Sequence, residues 1–248
     1  MALPYSMVKS PYYCDSRSTR YAVLFAAPLL VAYEVSAWLL SSATAPGVRN
    51  GADVLLKSLF VQFGGRNGVV AFEVLLTLVG LVLVVRDWRR HPGPLRWRVF
   101  PLMLVESVFL AAAIGVVLRY ATAAVLHVFL LATPSRLGTP TQLMVSLGAG
   151  IYEELLFRVI LVGVLSVLAK RVFGWGPRGA GLFAVLSSAL VFSAFHYIGA
   201  YGDPMQLSSF LFRFLAGLVF STLYVVRGFG ITAWTHAWYD VIVTMGGG

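Results

Sequence analysis

The chain has 248 residues, 59% of them hydrophobic and only 12% charged, against roughly 45–50% and about 25% for soluble domains; a soluble core could not hide so much apolar surface, which must face lipid. A net charge of +9 would suggest nucleic acid in a soluble protein, but the basic residues gather between apolar runs, as the positive-inside bias places them, so no nucleic-acid partner is expected. The single cysteine, Cys14, excludes an intramolecular disulfide and a multi-cysteine zinc site.

A helix crosses a bilayer core with about 20 apolar residues. Residues 21–40 form the first such run; it is long for a signal-peptide core and Glu34 interrupts it, so Ala43-Thr44-Ala45 reads as a connection rather than a cleavage site. Residues 52–63 are a short apolar stretch expected at the membrane interface. Residues 68–85 form the next span, closed by a basic connection with Arg86, Arg89, Arg90, Arg96 and Arg98. The run 99–132 would reach about 51 Å at about 1.5 Å per residue. It is either one long tilted helix or a span that breaks near Arg119. Runs at 143–168, 181–200, 207–226 and 230–245 complete the chain, with Gly246 to Gly248 as a frayed end.

The expected fold is therefore all-α, a polytopic transmembrane helix bundle of seven or eight hydrophobic segments in one integral membrane domain, 1–248. Lys9, Arg17 and Arg20, the 86–98 connection, and Lys170, Arg171 and Arg178 are basic, whereas 199–206 holds no Lys or Arg. With seven spans these connections share one side, the cytoplasmic one, with the N-terminus inside. With eight, the later ones change side; seven is preferred.

Ionisable residues within spans are expensive, and three clusters in the second half ask for a reason. In Gly150-Ile151-Tyr152-Glu153-Glu154-Leu155-Leu156-Phe157-Arg158, Glu154 and Arg158 are spaced i,i+4 and can pair. Glu153 points about 100° away on an α-helix and lacks that partner; a carboxylate in a low-dielectric site can act as a general base. Gly148, Ala149 and Gly150 just before it let another backbone approach. In the second cluster Phe192 and His196 share a face, and in the third His236 and Asp240 lie one turn apart, a spacing that lets a carboxylate orient a histidine. Each cluster taken singly is more often structural than functional. Glu34, Glu73, Glu106, Arg119, His127 and Arg213 are read as structural ion pairs or cavity lining, and His91 as solvated.

Taken in order, Glu153-Glu154 with Arg158 (EExxxR), Phe192 with His196 (FxxxH) and His236 with Asp240 (HxxxN/D) resemble the CPBP intramembrane proteases, the family of CAAX prenyl proteases and of abortive-infection-like and bacteriocin-processing proteins. The resemblance covers about residues 140–245, the expected catalytic core. It implies an intramembrane endopeptidase that cleaves a membrane-tethered protein or peptide. In that role Glu153 would activate water with help from His196. His236 and the side chain at 240 would stabilise the oxyanion, and Arg158 would hold Glu154 and the helix in register.

The prenyl-protease branch carries Asn where this chain has Asp240. An ionised carboxylate cannot donate to an oxyanion, so Asp240 would orient His236, be protonated or ligate a metal. That departure, with the Arg-rich connections, favours a bacterial inner-membrane member with a non-prenylated substrate. No cofactor is favoured. A His/His/Glu zinc site remains the alternative, although the sequence lacks the H-E-x-x-H pattern. The competing functions are a catalytically silent scaffold or immunity-type protein of the same fold and a proton- or ion-coupled transporter. Against the transporter, no inverted repeat is visible. The depths of Glu153, His196 and His236 along their spans agree only if helices tilt or if Gly199 and Gly202 mark an early break.

Overall fold

A computed structural model describes residues 11–43, 47–65, 67–126, 137–199 and 202–246. Its elements are α1 (Pro11–Arg17), α2 (Thr19–Ala43), α3 (Gly51–Gly64), α4 (Asn67–Arg90), α5 (Val99–Leu126), α6 (Thr139–Gly148), a π-helix, π1 (Ala149–Val162), α7 (Gly163–Val172), α8 (Pro177–Phe195), α9 (Leu207–Arg227) and α10 (Phe229–Gly246). The all-helical expectation holds. Lipid offers no partner for free backbone groups, so helices that satisfy their own are the natural solution.

Five helices, α2, α4, α5, α8 and α9, are long and apolar enough to cross a membrane. Two further long helical stretches, the unbroken run 139–172 and α10, carry Glu153, Glu154, Arg158, His236 and Asp240, which lower their apolarity. Seven or eight hydrophobic segments is thus compatible with the structure, and the chain is an integral membrane protein. α4 shows how strongly the outer helices face lipid, since only 11% of its apolar window is buried.

Sequence punctuation sets several boundaries. Pro140 and Pro177 open α6 and α8 at their first turns, where a missing N–H costs nothing. α9 stops at Gly228, whose φ of 82° favours glycine. The 99–132 run is continuous helix through Arg119 as far as Leu126; His127, the rest of that run, Ala200 and the last two glycines lie outside the described residues. The 52–63 stretch is more than interfacial. One face of α3, with Ala52, Asp53, Leu56 and Lys57, is buried, and the helix packs on α4 and π1.

α10 lies at the centre, against α2, α5, α6, π1 and α9. Glycines allow its backbone to touch its neighbours. A Cβ on Gly230 would stand 2.7 Å from the Ala22 carbonyl oxygen, and one on Gly150 would stand 2.5 Å from that of Ala233. Close backbone approach of this kind is how helices associate where lipid removes the hydrophobic drive.

Of the polar residues read as structural, Glu34, Glu73, Glu106 and Arg213 form ion pairs, while Arg119 is exposed on α5. Glu106 binds Arg227 at 2.6 Å and also accepts from Tyr12; Arg213 pairs with Asp203. Arg17 Nη2 donates to the Val225 carbonyl, Arg20 Nη1 to that of His91, and Arg96 pairs with Asp15 at 3.0 Å. These bonds place the N-terminal segment and the basic 86–98 connection at one end of the bundle, as the charge pattern requires.

Candidate active site

Four elements meet around Glu153. π1 supplies Glu153, Glu154 and Arg158, the end of α8 supplies His196, α10 supplies His236 and Asp240, and the residue before α3 supplies Asn50. The segment that carries Glu153, Glu154 and Arg158 is not an ordinary α-helix. From Ala149 to Val162 it runs as a π-helix, a rare geometry with i→i+5 bonds that recurs at functional sites. Glu153 and Glu154 are both buried in it, at 7% and 0% exposure.

The Glu154–Arg158 pair expected from the sequence is present, with Arg158 Nε 3.2 Å from Oε2 and both side chains fully buried. Glu154 has a second partner: its Oε1 lies 2.6 Å from His236 Nδ1. One carboxylate therefore couples the arginine of its own helix to the histidine of α10. His236 also stacks on Phe220 at 4.4 Å, which fixes the ring plane. Asp240 stands one turn on, its Oδ2 3.7 Å from His236 Nε2, beyond hydrogen-bond length. The bond that orients the ring thus comes from Glu154, while Asp240, half-buried, supplies charge nearby.

His196 caps the C-terminal end of α8, and its Nδ1 lies 2.8 Å from the Phe192 carbonyl oxygen. A carbonyl only accepts, so Nδ1 carries the proton and the lone pair of the neutral ring sits on Nε2. The Phe192 ring lies 4.9 Å from the His196 ring and 6.3 Å from the His236 ring, and Arg158 Cζ lies 4.5 Å above it. The FxxxH phenylalanine is thus the shared wall between both histidines and the arginine. The helix packing brings the two histidines to one place despite their unequal positions along the sequence of each span. Electrostatically, Glu153 feels His196, His236 and Arg158.

Glu153 Oε1 accepts a hydrogen bond of 2.8 Å from Asn50 Nδ2. Sequence reasoning missed this partner. The one local signal was an asparagine ahead of the 52–63 run, a helix N-cap pattern, and nothing local ties residue 50 to residue 153.

Beside the site lies a second polar cluster. Lys57 Nζ reaches Glu34 at 2.9 Å, Asp53 at 2.7 Å and Glu73 at 2.6 Å. Arg49 pairs with Glu34 and Asp53, and Tyr152 donates to Glu34 at 2.6 Å. Among the described residues, Glu34, Asp53 and Glu73 are the group whose donor atoms converge closely enough for a metal, within 4.8 Å of one another, and the Lys57 ammonium already sits among them. Glu153, His196 and His236 do not converge in that way, and the Nδ1 atoms of both histidines are engaged.

Residues 135–242 match the family model described as Type II CAAX prenyl endopeptidase Rce1-like. No curated protein and no solved structure matches the chain.

Proposed function

We propose that this chain, whose residues 135–242 belong to the type II CAAX prenyl endopeptidase Rce1-like family, is an intramembrane endopeptidase that hydrolyses a peptide bond of a membrane-anchored substrate by a metal-free glutamate–histidine mechanism. The observation that carries this reading is the convergence of Glu153, His196 and His236 from three separate elements, with His236 held at 2.6 Å by Glu154. The charges of the Lys57 cluster are paired with one another, whereas Glu153 has no ion pair among the described residues, and an unpaired buried carboxylate in a membrane protein points to function rather than to a scaffold.

In this mechanism Glu153 takes a proton from a water held between its carboxylate and Nε2 of His196. The resulting hydroxide attacks the carbonyl carbon of the scissile amide. The oxyanion that forms faces His236, which acts as the imidazolium: its Nδ1–H donates to the Glu154 carboxylate and its Nε2–H donates to the oxyanion. Collapse of the tetrahedral intermediate breaks the C–N bond, and the proton held by Glu153 passes to the departing amine. Arg158 balances the Glu154 charge throughout. The donor geometry around Glu153 supports direct activation of water over a zinc-bound one.

The substrate is a protein or peptide tethered by a lipid or a transmembrane helix, reached from within the bilayer. Asp240, in place of the amide of the prenyl-protease branch, favours a non-prenylated tether. We further place the chain in a bacterial inner membrane, with its basic connections on the cytoplasmic side.

The test reconstitutes the full chain in liposomes with two reporters, a farnesylated peptide with a CAAX-type end and a peptide tethered by a transmembrane helix. Cleavage by wild type, undiminished by excess chelator and abolished by Glu153→Gln, is the expected result. Loss of cleavage on chelation would replace the metal-free mechanism with a metal-dependent one. Ion flux lost in Glu153→Gln without proteolysis in either protein would replace the protease with a relay.

A further inference from the structure

The family match begins at residue 135, yet one polar contact to Glu153 comes from residue 50. Asn50 is 97% buried, with 3% exposure, in the segment joining α2 to α3. Its amide is used at both ends. Oδ1 accepts the Ala52 N–H at 2.9 Å and caps α3. That bond fixes which way the amide faces, so Nδ2 is the atom turned toward Glu153 Oε1, at 2.8 Å.

The backbone of Asn50 is held as well. Its N–H donates to Tyr33 Oη at 3.1 Å, and the Tyr33 hydroxyl donates to Asp53 Oδ2 at 2.8 Å. Asp53 is anchored in turn by Lys57 and Arg49. Gly148, one turn before the site, has room for nothing larger. A Cβ there would fall 2.5 Å from the Tyr33 ring and 2.7 Å from the Asn50 Cβ. The Lys57-centred cluster is therefore a footing whose last member touches the candidate base.

We propose that Asn50 is a positioning residue for Glu153: its amide N–H holds Oε1 and leaves Oε2 as the oxygen that takes the proton from water. This inference rests on the reading of Glu153 as the base. A carboxylate with one oxygen fixed presents the other in a single orientation, whereas an unheld one samples rotamers about its terminal torsion. Serine or aspartate would cap α3 as well as asparagine does. Among these three, the asparagine amide alone both accepts from Ala52 and reaches Glu153 with a donor. The other charged groups near Glu153 are Glu154 and Arg158 on π1, His196 on α8, and His236 and Asp240 on α10. None of them replaces the Asn50 donor in these bonds.

The test compares full-length Asn50→Ser and Asn50→Asp with wild type and Glu153→Gln in liposomes, on whichever tethered reporter wild type cleaves, with kcat, KM and melting temperature measured on each. Both substitutions keep a cap, so melting stays close to wild type. The expected result is a fall in kcat of about 10- to 100-fold, the loss of one hydrogen bond to a charged group, with KM unchanged. Asn50→Asp falls further than Asn50→Ser because it sets a second carboxylate against Glu153. A cap with no other role ranks the variants the opposite way, aspartate at least equal to serine and both near wild-type kcat, and that ranking overturns the proposal. A kcat loss that merely follows the folded fraction overturns it too. Glu153→Gln separates the two levels. If it is inactive while both Asn50 variants are normal, only the Asn50 role falls; if it cleaves normally, the base assignment falls and takes the Asn50 role with it.

Discussion

Adjacent glutamates Glu153 and Glu154 should respond to the same isosteric change in opposite ways. Glu154 is fully buried, 3.2 Å from Arg158 Nε and 2.6 Å from His236 Nδ1. Glu154→Gln removes the counter-ion of a buried guanidinium, a one-sided break that costs about 3–5 kcal/mol. At about 2–4 °C per kcal/mol for a chain of this length, melting should fall by about 6–20 °C. Glu153→Gln removes no ion pair, and the new amide keeps an oxygen to accept from Asn50. Its stability should fall by less than that of Glu154→Gln, by about 1 kcal/mol, while cleavage loses the factor of about 10²–10⁴ that a general base supplies. The assays are thermal unfolding of the purified protein in detergent and cleavage of a tethered reporter in liposomes. Equal melting of Glu154→Gln and wild type, or a Glu153→Gln protein that melts far lower than Glu154→Gln, would refute the division of labour between the two carboxylates.

Gly150→Leu should prevent correct assembly of α10 against π1, because even its Cβ would lie 2.5 Å from backbone oxygen of Ala233; overpacking of about 1–3 kcal/mol or more should appear as low yield of monodisperse protein. Lys57→Met should leave Arg49 as the basic partner of Glu34 and Asp53 and take from Glu73 its ammonium partner, and it should lower stability by about 3 kcal/mol or more, read as a drop in melting temperature.

Much of the site was legible because its pieces are local. The Glu154–Arg158 and Phe192–His196 contacts follow from residues one turn apart, and both are present. Hydropathy located the helices for the same reason: each run had to satisfy the bilayer within itself. What the sequence did not show is tertiary. The hydrogen bond that orients His236 comes from Glu154, 82 residues away, where the i,i+4 spacing had pointed to Asp240. The π-helical register of 149–162 leaves no mark in apolar periodicity. Asn50 carried no mark in the sequence of a role at Glu153, and its bond there exists only because α3 folds back onto π1.

The central claim is that Glu153 drives peptide hydrolysis in the membrane. The most direct measurement maps protein termini in membrane fractions of the native cells carrying wild type or Glu153→Gln at matched expression. The account predicts at least one membrane-anchored protein trimmed near its anchor in wild type and left whole in the variant. Identical termini in the two would contradict it.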